Sequence, residues 1–251
     1  MIFFVGAGPG APDLITVKGM RLLAEADVII YAGSLVNKEL LGYAKKECQI
    51  YDSASMTLEE VLAVMGDAEK SGKRTVRLHT GDPSIYGAIR EQMDALEKEN
   101  IGFEIVPGVS SFCGAAAALK AEYTLPDVSQ TVIITRMAGR TPVPQKESIV
   151  RLAAHEATMV IFLSAGMLQE LEVQLIEGGY FPETPAAIVY KATWPDEKVL
   201  RCSVGTLYET AKSNNITKTA LIVVGDFLGW EYARSRLYDP SFTHEYREAA
   251  E

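Results

Sequence analysis

Short apolar runs and longer amphipathic stretches alternate along the whole chain. The apolar runs are four to seven residues long and rich in β-branched and aromatic side chains, which is typical of buried strands. They lie at residues 2–6, 27–31, 48–51, 75–80, 103–107, 131–136, 159–164, 186–190, 198–204 and 219–225. The pattern predicts one strand at each run.

The stretches between these runs carry helical periodicity. Residues 57–72 open with Thr57 and have Glu60 three positions later, the pattern of a capping box. Residues 84–100 repeat apolar side chains every three to four positions, with Ser84 as a candidate N-cap. Similar patterns predict helices over 17–26, 147–155, 166–178 and 205–213. Strands that alternate with helices predict an α/β fold with mostly parallel sheets.

The alternation pauses near residues 120–130 and then restarts. The pause predicts two α/β domains, an N-terminal one over 1–123 and a C-terminal one over 124–251. Two apolar runs between residues 186 and 204 are close enough to form a hairpin, so we expect some antiparallel pairing in the second domain.

Composition narrows the class of protein. The chain has 251 residues, a net charge of −9 and an acidic pI of about 5.0. This balance disfavours binding to nucleic acid or to an anionic membrane, because both need clustered Lys and Arg. Three cysteines and three histidines are scattered without metal-ligand spacing, so no metal site and no disulfide framework is expected.

The longest apolar region, residues 109–119, is too short to span a bilayer. The chain opens on an apolar run without the basic segment of a secretory signal. A cytoplasmic protein is therefore the expectation.

Residues 5–16, VGAGPGAPDLIT, join the first predicted strand to a helical stretch. They fit the relaxed dinucleotide pattern GxGxx(G/A), but the second strand lacks the acidic end that would hold a ribose. Pro9 and Pro12 remove backbone N–H groups that a pyrophosphate would need. The missing Gly-Lys-Ser/Thr excludes a Walker loop. A tight turn without a ligand stays open as an interpretation.

Two further glycine-bearing turns follow apolar runs. These are LHTGDPSIYG at residues 78–87 and VPGVSSF at residues 106–112. All three turns follow predicted parallel strands, and open α/β sheets bind ligands at the carboxyl ends of their strands. The three turns together therefore predict a ligand site at one edge of the sheet.

Together the three stretches resemble the motifs of the tetrapyrrole methylase family, methyltransferases that use S-adenosylmethionine on a two-domain α/β fold. IYAGSLV (30–36), TRMAGRTPVP (135–144), YKATWPDEKVLR (190–201) and RSRLYDPSFTH (234–244) extend the resemblance to nearly the whole chain. These stretches are similar to the branch that methylates C-11 of precorrin-4 or cobalt-precorrin-4 in corrin biosynthesis. The resemblance implies a cofactor cleft between the domains and a homodimer.

The family motifs also imply which residues hold the cofactor. In order along this sequence they are Pro9, Thr80, Gly81, Asp82, Ile85, Ser110, Ser111, Leu163, Ala192 and Ala220. From the residues alone, a helix cap is the favoured role for Asp82, and the two serines are equally well helix caps or ligand contacts. Leu163 and Ala192 are packing residues on the same reasoning.

The implied substrate carries many carboxylates, so an acidic protein must concentrate cations locally. The candidates for substrate binding are His79, Arg136, Arg140 and Lys191, with Trp194 stacking on the macrocycle. Surface, interface or hairpin packing roles for the same residues stay open. Methyl transfer from a sulfonium needs positioning more than a catalytic dyad, and we identify no catalytic residue.

Three alternative functions stay open. A methylase of the same fold could act on ribosomal RNA or a modified protein side chain, although the acidic pI disfavours RNA. An NAD-linked oxidoreductase is disfavoured by the missing acidic residue. A ligand-binding module without catalysis is separated from an enzyme only by a turnover assay.

Overall fold

The computed structural model describes residues 1–249 and contains a five-stranded sheet in each half of the chain. The domain prediction over 124–251 extends to residues 250 and 251, which lie outside the described range. One compact unit comprises Met1–Gly114 with Lys191–Glu197, and a second holds the remaining described residues. That the chain divides into two independently folding domains between residues 123 and 124 stays a prediction.

The sheet of the first unit has the order β3-β2-β4-β1-β5, and each of its ladders is parallel. Its strands and helices are β1 (Ile2–Gly6), α1 (Val17–Glu25), β2 (Val28–Tyr31), β3 (Gln49–Asp52), α2 (Leu58–Lys70), β4 (Thr75–His79), α3 (Arg90–Lys98), β5 (Phe103–Val106) and α4 (Ser111–Leu119), the last of which continues past Gly114. Apolar side chains alternate between the two faces, so that α1 covers one face and α2 and α3 cover the other.

The sheet of the second unit has the order β6-β7-β10-β8-β9. Its elements are β6 (Val132–Arg136), α5 (Ile149–Ala153), β7 (Thr158–Phe162), α6 (Leu168–Gly178), β8 (Pro185–Tyr190), β9 (Lys198–Ser203), α7 (Leu207–Ser213) and β10 (Ala220–Val224). Helices α5, α6 and α7 pack on this sheet through a continuous apolar cluster. Short 3-10 helices lie at Pro12–Leu14, Gly33–Leu35, Lys38–Tyr43, Ser53–Ser55, Gln145–Glu147, Val204–Thr206, Asp226–Leu228 and Arg236–Tyr238.

Within residues 1–249, five of the eight strand ladders are parallel, as the prediction of mostly parallel sheets required. The second sheet by itself is mixed, because only β6 and β7 pair in parallel. The predicted hairpin of β8 and β9 is confirmed, and β10 adds antiparallel ladders to both β7 and β8. Antiparallel pairing is therefore more extensive than the sequence indicated.

The helix predicted over 84–100 begins only at Arg90. Tyr86 and Ala88 have left-handed φ values of 54° and 49°, which interrupt a helix. Between them, Gly87 lies so near Pro83 that a β-carbon would stand 2.1 Å from the Pro83 carbonyl oxygen. Ser84 is therefore part of a turn and not a helix N-cap, whereas the predicted Thr57–Glu60 capping box is present.

Candidate functional site

The three glycine turns meet through their main chains at the carboxyl edge of the first sheet. A β-carbon on Gly108 would stand 2.2 Å from the carbonyl oxygen of Gly81 and 2.7 Å from Cα of Gly6. No side chain fits at that distance, so Gly6 and Gly108 need glycine for close approach, whereas Gly81 needs it for its left-handed φ of 60°. The sequence prediction that these turns share one edge is confirmed by their contact.

Two backbone hydrogen bonds pair the first turn with the second. Gly8 N–H donates to the carbonyl of Gly81 at 3.2 Å, and Gly81 N–H donates to the carbonyl of Gly8 at 2.9 Å. Both glycines have left-handed φ values, 82° and 60°. The Pro9–Ala11 loop and the Gly-Asp-Pro turn are thus fixed relative to each other by main-chain contacts.

Asp82 ties the second turn to the third. Its Oδ2 accepts a hydrogen bond from Gly108 N–H at 2.8 Å, and its Oδ1 accepts from the backbone N–H and the hydroxyl of Ser84. Burial by itself raises the pKa of Asp82, but these hydrogen bonds outweigh it and hold the pKa below its ordinary value. Asp82 is therefore an ionised carboxylate that links two turns by hydrogen bonds, and it does not cap a helix.

Four other residues implied by the family motifs lie in the second and third turns. Thr80 and Ile85 are half-buried on either side of Asp82 in the chain. Ser110 is buried and Ser111 begins α4, and a β-carbon on Gly81 would stand 3.5 Å from Ser110 Cα and from Ser111 N. The structure therefore brings both serines and the Gly-Asp-Pro turn together.

The segment Lys191–Glu197 lies against the Pro9–Ala11 loop in the first unit. The indole Nε1 of Trp194 donates to the carbonyl of Pro9 at 3.1 Å, and Ala11 N–H donates to the hydroxyl of Thr193 at 3.0 Å. Ala192, implied as a cofactor residue, is buried beside Gly114. Trp194 is the residue predicted to stack on the substrate, and in the structure its indole contacts the carbonyl of Pro9 and the ammonium of Lys191.

Lys191 contacts neighbours within its own segment. Its Nζ lies 2.6 Å from a carboxylate oxygen of Asp196 and 5.5 Å from the centroid of the Trp194 ring. The ammonium of Lys191 therefore already has a carboxylate partner within its own segment.

His79 is only 3% exposed at the end of β4, and its Nε2 has no hydrogen-bond partner. Burial, and secondarily the positive charge of Arg77, lower its pKa to about 3. The imidazole is therefore neutral at pH 7, and the interpretation of His79 as a cation for substrate carboxylates is corrected. The residue is part of the core.

Arg77 is a charged residue of β4, two positions before His79, for which the sequence predicts no role. It is 7% exposed, and burial lowers its pKa to about 10. Its guanidinium donates to Gln92 and to the carbonyl of Ile30, while Gln92 donates to the carbonyl of Ala88. This chain of hydrogen bonds connects the central strand with the left-handed segment that follows the Gly-Asp-Pro turn.

In the second unit, Arg136 and Arg140 have different surroundings. The guanidinium of Arg136 donates to the carbonyls of Met137, Thr141 and Pro142, so it shapes the loop that follows β6. Arg140 is exposed in that loop. Of the two arginines, Arg140 is the one whose fork is presented to solvent.

Leu163 follows β7 in an unusual conformation. It has a left-handed φ of 52° and is 64% exposed, although it is a large apolar residue. The ladder that pairs Ile222 with Ile161 runs toward Ala220 and Leu163, so these two implied residues lie at the same edge of the second sheet. A strained, exposed leucine is the kind of feature that a ligand explains.

No group of three or more His, Cys, Asp and Glu side chains in residues 1–249 is placed to hold a metal ion. No helix in the same range combines the length and apolar character that crossing a membrane requires.

Residues 1–208 match the family described as Tetrapyrrole (Corrin/Porphyrin) Methylases. The chain belongs to the tetrapyrrole methylase family. The resemblance inferred from the glycine turns is thereby confirmed. This tetrapyrrole methylase is 57% identical over 249 residues to the cobalt-precorrin-4 C(11)-methyltransferase of Methanocaldococcus jannaschii, covering 99% of this chain and 96% of that protein. Relatives named precorrin-4 C(11)-methyltransferase, without cobalt in the name, are 41–45% identical.

Solved structures of other tetrapyrrole methylases share the fold. The X-ray structure of a cobalt precorrin-4 methyltransferase matches with a TM-score of 0.89 and 48% identity, covering 91% of this chain and 96% of that chain. A uroporphyrin-III C-methyl transferase from Thermus thermophilus, complexed with S-adenyl homocysteine, matches with a TM-score of 0.75 and 25% identity, covering 90% and 92% of the two chains. The two-domain fold predicted for this tetrapyrrole methylase is thus shared with both.

Sequence reasoning missed two polar contacts of the site. Asn37 is buried and donates to the carbonyl of Gly10 at 2.9 Å, and Thr193 accepts from Ala11. Neither residue lies in a glycine turn, and no local pattern marks them. The only available signal was that a loop with two prolines and three glycines needs outside support to hold one conformation.

Proposed function

We propose that this tetrapyrrole methylase transfers a methyl group from S-adenosylmethionine to C-11 of cobalt-precorrin-4 or precorrin-4 in corrin biosynthesis. The observation that carries the proposal is identity across nearly the full length of this chain and of a cobalt-precorrin-4 C(11)-methyltransferase. The reaction breaks a sulfur–carbon bond and forms a carbon–carbon bond at C-11. The relatives with and without cobalt in their names leave the metal content of the substrate to experiment.

The residues at the turn edge fit S-adenosylmethionine chemically. The edge offers main-chain carbonyls, serine hydroxyls and an ionised carboxylate at Asp82, which suit the cofactor's positive charges and hydroxyls. Exposed Leu163 in the second unit suits an apolar part. We propose as cofactor-binding residues the set implied by the family motifs: Pro9, Thr80, Gly81, Asp82, Ile85, Ser110, Ser111, Leu163, Ala192 and Ala220.

When bound, the cofactor supplies an electrophilic methyl group on a sulfonium leaving group. The protein's contribution is to orient the two reactants and keep water away. Asp82 accepts three hydrogen bonds and holds the turns, so its role is in positioning and not in proton transfer. Arg140 is the cation proposed to meet a substrate carboxylate, and Arg136 holds its loop. Homodimer assembly and a cytoplasmic location remain part of the proposal.

A mass-spectrometric turnover assay tests the proposal. The purified protein is mixed with methyl-labelled S-adenosylmethionine and either cobalt-precorrin-4 or metal-free precorrin-4. We expect one labelled methyl on the macrocycle at C-11, and the faster substrate identifies the metal requirement. Binding of S-adenosylhomocysteine without transfer to either tetrapyrrole would overturn the substrate assignment, and RNA and protein substrates would then be tested.

A further inference from the structure

The Pro9–Ala11 loop is held by side chains that are remote in the sequence. Trp194 donates to the carbonyl of Pro9, Asn37 donates to the carbonyl of Gly10, and Thr193 accepts from Ala11 N–H. Each of the three loop residues therefore has one main-chain group bound by a side chain. A loop so bound has one conformation, because every alternative leaves a partly or fully buried polar group unpaired.

The Trp194 indole also determines which residue can stand at position 10. A β-carbon on Gly10 would stand 2.1 Å from the indole Cδ1 and 2.3 Å from Nε1. The φ of Gly10 is not left-handed, so the ring, and not backbone strain, is the reason for glycine at this position. The position of the Trp194 indole therefore requires glycine at position 10.

The segment that carries Trp194 is itself fixed. Lys191 and Thr193 have left-handed φ values of 47° and 68°, which persist only where the surroundings hold them. Thr193 N–H donates to the carboxylate of Glu197 at 2.6 Å, and Lys191 pairs with Asp196. Trp194 is thus presented to the loop from a rigid turn.

We propose that Trp194 is a positioning residue, which sets the Pro9–Ala11 loop for cofactor binding and does not stack on the macrocycle. Its effect reaches the Gly-Asp-Pro turn because Gly8, next to Pro9, exchanges two hydrogen bonds with Gly81. The proposal rests on the proposed function only in taking S-adenosylmethionine as the ligand of these turns.

The test combines ligand binding with hydrogen exchange. Calorimetry measures the Kd of S-adenosylhomocysteine for the wild type, Trp194→Phe, Trp194→Ala, Gly10→Ala and the Gly10→Ala/Trp194→Ala double variant. Trp194→Phe retains an aromatic ring and removes the N–H, and we expect about 5-fold weaker binding from the lost hydrogen bond. Gly10→Ala alone should weaken binding at least about 10-fold. The Gly10→Ala/Trp194→Ala double variant should bind no more weakly than Trp194→Ala, because the indole that the new β-carbon would meet is gone.

Amide exchange gives a readout that needs no substrate. The Ala11 N–H should exchange faster in Trp194→Phe than in the wild type, while the far-UV spectrum stays unchanged. Trp230→Phe is the matched control, since Trp230 is 95% exposed and should alter neither Kd nor exchange.

The opposite pattern would overturn the proposal. Unchanged Kd and exchange in Trp194→Phe, with only the KM for the tetrapyrrole raised, would place Trp194 on the substrate. Multiplying effects of Gly10→Ala and Trp194→Ala would show that the two residues act independently. If wild-type protein transfers no methyl to either tetrapyrrole, the substrate assignment fails, while exchange at Ala11 still decides the role of Trp194.

Discussion

The carboxylate of Asp82 and the backbone N–H of Gly108 are joined by a hydrogen bond of 2.8 Å, although 26 residues separate them in the chain. The same carboxylate accepts two hydrogen bonds from Ser84. One side chain thus fixes the distance between the turn after β4 and the turn after β5.

Asp82→Asn should destabilise the protein by about 1–3 kcal/mol at pH 7, because an amide cannot accept all three of these hydrogen bonds. Urea unfolding measures the loss. The pKa of Asp82 is lower in the folded state than its ordinary value of 3.8, so its contribution to stability is fully present above that value. It is lost as the pH falls through the folded pKa, and the difference between wild type and variant should narrow below about pH 4. Asp67→Asn on the exposed face of α2 is the control, and a difference that does not vary with pH would contradict the prediction.

Gly108→Ala should cost at least about 3 kcal/mol in the free energy of unfolding, because the new β-carbon meets main-chain atoms that cannot rotate away. Gly42→Ala is the matched control, since a β-carbon there meets nothing within 4 Å. We expect the control to stay within about 1 kcal/mol of the wild type. Equal stabilities of the two variants in urea would show that the turns can separate without cost.

Buried His79 should make stability depend on pH in the neutral range. Its folded pKa of about 3 lies below the ordinary value of 6.5, so the unfolded chain takes up the proton more readily. Stability from this residue is therefore present above pH 6.5 and falls by up to about 1.4 kcal/mol for each pH unit below it. His79→Leu should flatten the curve of unfolding free energy between pH 7 and 5. His155→Gln, at an exposed histidine, controls for removal of a titratable ring, and identical slopes in wild type and His79→Leu would contradict burial of a neutral imidazole.

Leu163→Gly should separate binding from stability. Glycine relieves the left-handed φ, and this gain offsets its greater freedom in the unfolded chain, so the thermal midpoint should hardly change. The affinity for S-adenosylhomocysteine should fall, because the exposed apolar side chain is lost. Val173→Ser, at an exposed apolar position on α6, should change neither quantity. Unchanged affinity in Leu163→Gly would remove Leu163 from the cofactor residues.

The sequence predicts most of this architecture because strand and helix periodicity are local properties. The ten strands appear within two residues of their predicted bounds, and the glycine turns meet because parallel strands end at one edge. The helix over 84–100 was predicted too long, because left-handed Tyr86 and Ala88 accompany close packing of Gly87 on Pro83. The antiparallel position of β10 depends on strand order, which periodicity does not contain.

The site was less predictable because its supports are distant in sequence. Thr193 and Ala11 are 182 residues apart, and Asn37 and Gly10 are 27 apart. Polar residues of these types are common on surfaces, so nothing nearby marks them as loop partners. The charge of His79 was misassigned for a related reason, since burial and the neighbouring Arg77 determine it.

The meeting of Gly6, Gly81 and Gly108 has a consequence for the order of folding. It closes chain segments of 75 and 102 residues, so it can form only after β1, β4 and β5 have found one another. In a nascent chain, β5 can still be inside the ribosome when β1 and β4 have left it. Such a chain lacks the turn at Gly108, one of the three turns that meet at this edge. A ligand that binds at these turns would therefore select chains in which β1, β4 and β5 have already paired, and would stabilise only that form.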